Sequence, residues 1–171
     1  KDEYNIAKTF LSKANLQYNE GDFFESEINV FKALKSLKKQ KNVSDLFYES
    51  YNILGVLYNE REEFAKAQEF QEKALKVLED KSIPSEFQCK ATSLNNIGYI
   101  YSNKNDYKQA KVYFKEGLEQ ENLFVDKTFL YAILLDNLAY CKFKLHETDQ
   151  LPELFNKALK IRDSLGLKVA V

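Results

Sequence analysis

A pattern of small, aromatic and aliphatic residues recurs four times along the chain, and this repetition limits the possible folds more than any other feature. The segments "NILGVLYNEREEFAKAQEFQEKAL" and "NNIGYIYSNKNDYKQAKVYFKEGL" align without a gap and place Gly55 opposite Gly98. Two more divergent segments place Ala14 and Ala139 at the same position. The copies therefore follow one another at intervals of 41, 43 and 41 residues, which indicates a repeat architecture.

Each copy contains two stretches with helical periodicity, separated by a short polar segment. In the second copy Tyr51, Leu54, Gly55 and Tyr58 follow the i, i+3, i+4, i+7 spacing of one helix face. The polar segments "NEGD", "NERE", "NKND" and "LHETD" then precede the second stretch of each copy. Every copy is therefore predicted to be a helix, a turn and a second helix.

Polar side chains at the start of the second stretch support these turns. Asp22 with Glu25, and Asp106 with Gln109, have the spacing of capping pairs, in which side chains bond the free amides of a helix start. Pro152 falls within the first turn of the last helix, where a missing amide donor costs little. The second helices are therefore predicted to begin directly after the polar turns.

The order of a small residue, an aromatic three residues on, an aromatic after the turn, and then Ala, an aromatic and Ala-Leu resembles the tetratricopeptide repeat. The resemblance covers residues 10–165. Its long units resemble the subtype of about 42 residues found in kinesin light chains and in bacterial sensor kinases and regulators. It implies an all-α fold, a right-handed superhelix of eight main helices arranged as four helix-turn-helix units.

The expected organisation is a single array over residues 1–171. Its four units are expected at residues 4–41, 42–82, 83–124 and 125–166. Residues 167–171 are expected to begin a further helix. Because the sequence opens without methionine and closes on "GLKVAV", we expect the chain to be part of a longer protein.

Composition argues against several classes of partner. The 25 basic and 26 acidic residues nearly balance, and only Arg61 and Arg162 are arginines, so this segment is not expected to bind nucleic acid. The longest apolar run, residues 129–135, is far shorter than the roughly 20 residues that span a bilayer. We expect a soluble segment that does not insert into a membrane. Its compartment stays open, with the cytoplasm slightly favoured over the periplasm.

The sequence offers few candidates for catalysis. His146 is the only histidine and lies in a polar turn, and Cys89 and Cys141 lack the spacing of a metal site. No motif of a hydrolase, nucleotide-binding or metalloprotease site is present. We therefore predict that the protein is not an enzyme and uses no cofactor and no metal.

In the tetratricopeptide architecture the first helices of successive units line a concave groove, and one stripe of residues on these helices faces it. The resemblance implies that the following residues bind a ligand there: Asn15, Tyr18, Asn52, Asn59, Asn95, Tyr99, Ser102, Asp136, Tyr140 and Phe143. Asparagine recurs in this stripe, although its amide lowers helix propensity.

Two interpretations of the stripe remain open. The asparagine amides could bond the backbone of an extended peptide while the aromatic residues bind its side chains. Alternatively, the asparagines only solvate the groove and the aromatic residues pack against the next helix. The first interpretation predicts a non-catalytic module that binds a protein or peptide, and the resemblance implies a sensing or docking role in a bacterial signalling protein. A structural spacer or homodimerisation scaffold is the alternative function.

Overall fold

The computed structural model describes residues 2–79, 86–123 and 128–166. All regular secondary structure in these ranges is helical, and short turns join the helices into consecutive pairs. The helices are α1 (Asp2–Asn19), α2 (Phe23–Leu37), α3 (Ser44–Glu60), α4 (Phe64–Val77), α5 (Glu86–Asn103), α6 (Tyr107–Glu121), α7 (Phe129–Lys144) and α8 (Leu151–Ser164). The predicted all-α fold of eight main helices in helix-turn-helix pairs is confirmed. The helix expected to begin at residues 167–171 lies outside the described residues.

The chain forms two compact units, Lys1–Glu86 and Phe87–Val171. Unit 1 contains the helix pairs α1–α2 and α3–α4, and unit 2 contains the pairs α5–α6 and α7–α8. Each unit therefore holds two of the repeats predicted from the sequence. None of the described helices combines the length and apolar character needed to cross a bilayer.

Small residues bring the helices of unit 1 close together. Ala14, Ala33 and Ala67 are fully buried, and the hydroxyl of Ser26 on α2 donates to the backbone oxygen of Ala14 on α1 at 2.8 Å. Gly55 on α3 leaves no room for a side chain, because a Cβ atom there would lie 2.4 Å from Nε2 of Gln71 on α4. The small residues at the repeat positions are thus explained by close helix packing.

Unit 2 uses the same close packing of helices at glycine positions. A Cβ atom at Gly98 on α5 would lie 2.5 Å from the ring of Phe114 on α6, and one at Gly117 would lie 2.8 Å from Leu134 on α7. Phe114 and Leu134 belong to a cluster of buried residues from α6, α7 and α8 that also includes Cys141. Burial raises the pKa of the Cys141 thiol to about 11, so this cysteine is a neutral part of the core.

The turns inside the four pairs share one backbone conformation. Gly21, Glu62, Asn105 and His146 all have a positive φ, between 59° and 81°. In each turn the amide of the positive-φ residue donates a hydrogen bond to the carbonyl three residues before it. The amide of the following residue donates to the carbonyl five residues before itself. This pair of bonds is the Schellman motif. The first helix of each pair therefore ends in the same way.

The predicted helix starts are confirmed. The side chain of Asp22 accepts a hydrogen bond from the amide of Glu25, and that of Asp106 accepts one from the amide of Gln109. Pro152 lies in the first turn of α8. The polar turns therefore end one helix with a Schellman motif, and in two of the pairs they start the next with an aspartate cap.

Candidate functional site

Two of the predicted binding residues of unit 1 are bonded to other side chains of the protein. Nδ2 of Asn15 on α1 donates to Oε1 of Glu49 on α3 at 3.2 Å. Asn52 accepts two hydrogen bonds from Nε2 of Gln71. One goes to its backbone oxygen at 3.2 Å and the other to its Oδ1 at 3.3 Å. These amides therefore connect neighbouring helices as well as lying on the predicted stripe.

The other two predicted residues of unit 1 are half-buried. The ring of Tyr18 lies 5.7 Å from that of Phe23, centroid to centroid. Burial raises the pKa of the Tyr18 hydroxyl, and the negative charge of Glu60 adds to the effect. The backbone oxygen of Asn59 accepts the hydrogen bond that the amide of Glu62 donates in the turn after α3. Of the four predicted residues in unit 1, only Asn15 is well exposed.

In unit 2, two of the predicted polar residues are held by partners inside the unit. Asn95 is only 6% exposed, and its Oδ1 accepts from Nδ2 of Asn137 on α7 at 3.0 Å. Asp136 on α7 forms an ion pair with Arg162 on α8. These contacts tie α5 to α7 and α7 to α8.

The predicted aromatic residues of unit 2 are exposed. Tyr99 is 40% exposed, Tyr140 46% and Phe143 59%. Tyr99 meets the ring of Phe114 edge-on at 5.8 Å, and Tyr140 meets Tyr107 edge-on at 6.0 Å. Edge-to-face contacts fix the orientation of rings that still offer surface to a ligand. Unit 2 therefore presents ordered aromatic groups to solvent.

A cavity of about 310 Å³ lies beside these aromatic residues, between α5, the turn that follows it, α6 and α7. It brings together three of the predicted residues, Tyr99, Ser102 and Tyr140. The remaining lining residues are Asn103, Asn105, Tyr107, Phe114 and Asn137. We call this the unit 2 cavity.

The chemistry of the unit 2 cavity is that of neutral polar groups between aromatic rings. Its lining supplies amides, hydroxyls and ring faces, and none of its lining side chains carries a charge. The hydroxyl of Tyr107 donates to Oδ1 of Asn105 at 2.7 Å. Burial raises the pKa of Tyr107, and the neighbouring Tyr140 adds to this, so the hydroxyl stays protonated at neutral pH. The volume is at the small end of ligand sites and suits one or two residues of a peptide.

Several residues of this cavity were missed by the sequence pattern. Asn105 and Tyr107 flank the helix cap Asp106, and their positions indicated a turn rather than a binding surface. Asn137 follows Asp136 directly and falls one position off the stripe. A signal for it existed, since the pair Asp136–Asn137 aligns with the pair Asn95–Asn96 one repeat earlier.

Part of the sequence matches a known family model. Residues 46–120 match the model of the tetratricopeptide repeat. This segment runs from α3 to α6 and so includes a helix pair from each unit. Residues 46–120 belong to the tetratricopeptide repeat family. The resemblance to the tetratricopeptide repeat is thereby confirmed, whereas the subtype with units of about 42 residues stays a prediction. Tetratricopeptide repeats in general mediate contacts between proteins.

Solved structures show the tetratricopeptide-like fold over nearly the whole chain. The apo form of RapI superposes with a TM-score of 0.83 at 22% identity, covering 97% of this chain. This chain spans only 59% of that RapI chain. A tetratricopeptide-like protein of Chlorobium tepidum covers 96% of this chain and 97% of its own, with a TM-score of 0.61 at 15% identity.

A further similar structure is the N-terminal domain of stress-induced protein 1 from C. elegans. It superposes with a TM-score of 0.59 at 19% identity and covers 80% of this chain and 98% of its own. At these identities the likeness concerns the fold alone. No curated protein matches the sequence. In the described part of the tetratricopeptide array, no group of three or more His, Cys, Asp and Glu side chains is placed to hold a metal ion.

Proposed function

We propose that this chain is a non-catalytic module that binds an extended peptide or a peptide-like segment of a protein, and that the unit 2 cavity is its main binding site. The observation that carries the proposal is the unit 2 cavity itself, where two exposed tyrosines, Tyr99 and Tyr140, stand beside asparagine amides. Amides match the donors and acceptors of a peptide backbone, and tyrosine rings bind side chains at a low cost in conformational entropy.

The test is selection of peptides from a random library displayed on phage, with the whole chain as bait. We expect the wild type to enrich a common sequence pattern and the double variant Tyr99→Ala Tyr140→Ala to lose at least tenfold in affinity for the enriched peptides, since two central aromatic contacts typically cost about 1 kcal/mol or more each.

Phe155→Ala is the matched control. Phe155 is an exposed aromatic residue of the same unit, on α8, and does not line the cavity. Equal loss of affinity in the control and in the double variant would place the binding site elsewhere. Failure to enrich any pattern would contradict peptide binding altogether.

We further propose that the module is the sensing or docking part of a bacterial signalling protein. The resemblance of "FNKALKIRDSLG" to segments of bacterial sensor kinases and regulators supports this role. A saturating amount of the selected peptide should change the output of the parent protein. The same peptide should leave unchanged the output of a parent protein that carries Tyr99→Ala and Tyr140→Ala.

A homodimerisation scaffold is the second candidate, because the same exposed rings could be buried against another copy of the chain. Phe143, which is the most exposed of the predicted aromatic residues, favours this candidate since it does not line the cavity. The two functions differ in the oligomeric state that they require.

A further inference from the structure

An apolar stripe lies on the solvent side of α2, in unit 1. Phe24 is 67% exposed and Phe31 45%, and Ile28 between them is half-buried. Among the described residues, no large apolar side chain is more exposed than Phe24. Positions 24, 28 and 31 share one face of a helix, and the residues that α2 buries lie on its other side. We call Phe24, Ile28 and Phe31 the α2 stripe.

The repeat itself does not require the α2 stripe. The equivalent positions, which are also exposed, are occupied by Ala65, Glu69 and Glu72 on α4 and by Lys108, Val112 and Lys115 on α6. The last repeat has two acidic residues and an asparagine there. The second helices of this array therefore fold with a polar solvent face, and a continuous apolar patch at these positions is typical of a surface that binds another protein.

The surface at the end of the α2 stripe is positively charged. Residues 28–44 contain five lysines and no acidic residue. Lys35 lies four residues after Phe31 in the last turn of α2, Lys38 follows as the C-cap, and both are exposed. Neither lysine forms an ion pair in the described part of unit 1.

The carboxylates nearest to these lysines in the sequence are bonded elsewhere or distant. Glu27 pairs with Arg61 at 2.6 Å. Asp45, at the start of α3, accepts a hydrogen bond from the hydroxyl of Tyr4 at 2.9 Å. Glu25 precedes Lys35 by ten residues, or about 15 Å along the helix axis. The charges of the two lysines are therefore left to attract an anionic partner.

A helix fits this surface better than a lipid bilayer does. Consecutive repeats present equivalent positions to the same side of an array, so a flat anionic bilayer would also meet the exposed carboxylates of Glu69 and Glu72 on α4. Like charges would repel there. A single helix, about 10 Å wide, can follow α2 alone and avoid these carboxylates.

We propose that the α2 stripe docks an amphipathic helix of another protein, and that acidic residues of this helix pair with Lys35 and Lys38. Apolar side chains at i, i+4 and i+7 of such a helix match the spacing of the α2 stripe, and the lysines set the register in which it binds. The surface lies in unit 1 and is independent of the unit 2 cavity. The chain thus has a second binding site, whose partner is a folded helix and not an extended peptide.

Three synthetic helical peptides test the proposal. They share a leucine stripe at i, i+4 and i+7 and carry two glutamates, two glutamines or two lysines in the turn beside it. NMR titrations that follow the backbone amides of α2 locate the site, and calorimetry gives the affinities. We expect the glutamate peptide to bind along α2 about fourfold more tightly than the glutamine peptide, because two exposed ion pairs contribute a factor of about two each. The lysine peptide should bind most weakly.

Variants of the apolar stripe test its role. Phe24→Ala combined with Phe31→Ala should weaken binding of the glutamate peptide about tenfold, since aromatic residues at the centre of an interface supply most of its binding energy. Because both rings are exposed, the melting temperature should stay close to that of the wild type. Leu16→Ala is the matched control, since it removes a side chain that is 57% exposed on α1 of the same unit. It should leave the affinity unchanged.

Variants of the lysines test the charge. Lys35→Gln combined with Lys38→Gln should abolish the preference for the glutamate peptide. Lys76→Gln removes the same charge from the position of α4 that is equivalent to Lys35 and should leave the preference intact. Equal affinity of the three peptides for the wild type, or a preference that survives in the double lysine variant, overturns the acidic partner.

Further measurements distinguish the other possible occupants. If no peptide shifts the amides of α2, the proposal is wrong. Vesicles of phosphatidylcholine and phosphatidylserine that bind the wild type but not Phe24→Ala Phe31→Ala would then identify the surface as a membrane contact. A wild-type dimer that dissociates in the same double variant would identify a second copy as the occupant. Each of these results leaves the proposed peptide site in unit 2 untouched.

Discussion

Two glycines at the same repeat position face different partners. Gly98 lies against the ring of Phe114, whereas Gly55 lies against the side chain of Gln71, which occupies the position equivalent to Phe114. Gln71 is fully buried and its Oε1 has no hydrogen-bond partner among the described residues. A buried acceptor without a partner costs about 1–3 kcal/mol. The unpaired Oε1 therefore offsets part of the stability that unit 1 gains from the hydrogen bond of Gln71 to Asn52.

The two glycines should therefore differ in their response to alanine. Gly98→Ala forces a rigid ring to move, and we expect a net loss of about 1–2 kcal/mol in the free energy of unfolding, after the better helix propensity of alanine is included. Gly55→Ala meets the end of a flexible side chain and should cost less. Urea unfolding followed by circular dichroism measures both, and an equal loss would contradict the role of the ring.

The sequence predicts the role of some residues of the structure but not of others. The small residues at Gly55 and Gly98 are predictable because helix packing acts on residues at fixed spacing along the chain. The burial of Asn95 is not, because its partner Asn137 lies 42 residues away on another helix. A stripe on one helix specifies which direction a side chain takes, but not whether a neighbouring helix covers it. Whether the ten predicted residues bind a ligand stays a prediction.

At the scale of the helix, the chain relies on capped ends and on contacts between neighbouring pairs. The aspartate caps at Asp22 and Asp106 were predictable because a capping residue and its target lie three positions apart. The positive φ of Glu62 was not predictable from residue type, since glutamate has no preference for the left-handed conformation. The backbone bonds of the turn impose it.

Removal of a cap should destabilise unit 2. We expect Asp106→Ala to lower the free energy of unfolding by about 1 kcal/mol, because the amide of Gln109 loses its acceptor. Asp149→Ala removes the same charge from an exposed turn of the same unit, at a place where no side-chain cap is formed. Thermal unfolding of the two variants provides the comparison, and similar melting temperatures would contradict the assignment of the cap.

A contact between α2 and the end of α3 should make the stability of unit 1 depend on pH. Glu27 accepts hydrogen bonds from the hydroxyl of Tyr58 and from the guanidinium group of Arg61. Burial opposes the charge of Glu27, but these two bonds outweigh it and hold the pKa of Glu27 below its ordinary value of 4.5.

The sign of the effect follows from this lowered pKa. The unfolded chain binds a proton at Glu27 more readily than the folded chain, so the stabilisation is present above pH 4.5 and is lost as the pH falls through the folded value. We expect the unfolding free energy of the wild type to fall more steeply than that of Glu27→Gln between about pH 5 and about pH 3. Parallel pH profiles would show that Glu27 does not contribute.

At the scale of the whole molecule, the repeat pattern gives two units that each have their own buried residues. The fold class could be predicted because four aligned copies specify one helix pair that must bury its apolar face against neighbours. The unit 2 cavity could be predicted only in part, since it combines residues from the helices α5, α6 and α7 with those of a turn. No single stripe contains them all.

The oligomeric state distinguishes the binding module from the scaffold. If the exposed rings serve a ligand, we expect the chain to sediment as a monomer across a concentration series, and Tyr140→Ala with Phe143→Ala to leave the mass unchanged. A dimer that dissociates in this double variant would support self-association instead. Phe24→Ala, on an exposed ring of α2 in unit 1, is the control for a general loss of apolar surface.

The recurrent turn makes the chain suitable for recombination. One backbone conformation is occupied by glycine, glutamate, asparagine and histidine at Gly21, Glu62, Asn105 and His146, so the hydrogen bonds of the turn tolerate very different side chains. Crossovers placed at these four points would exchange whole helices between copies of the gene while each junction kept its geometry. A library built in this way would vary the residues beside the unit 2 cavity without redesign of any connection.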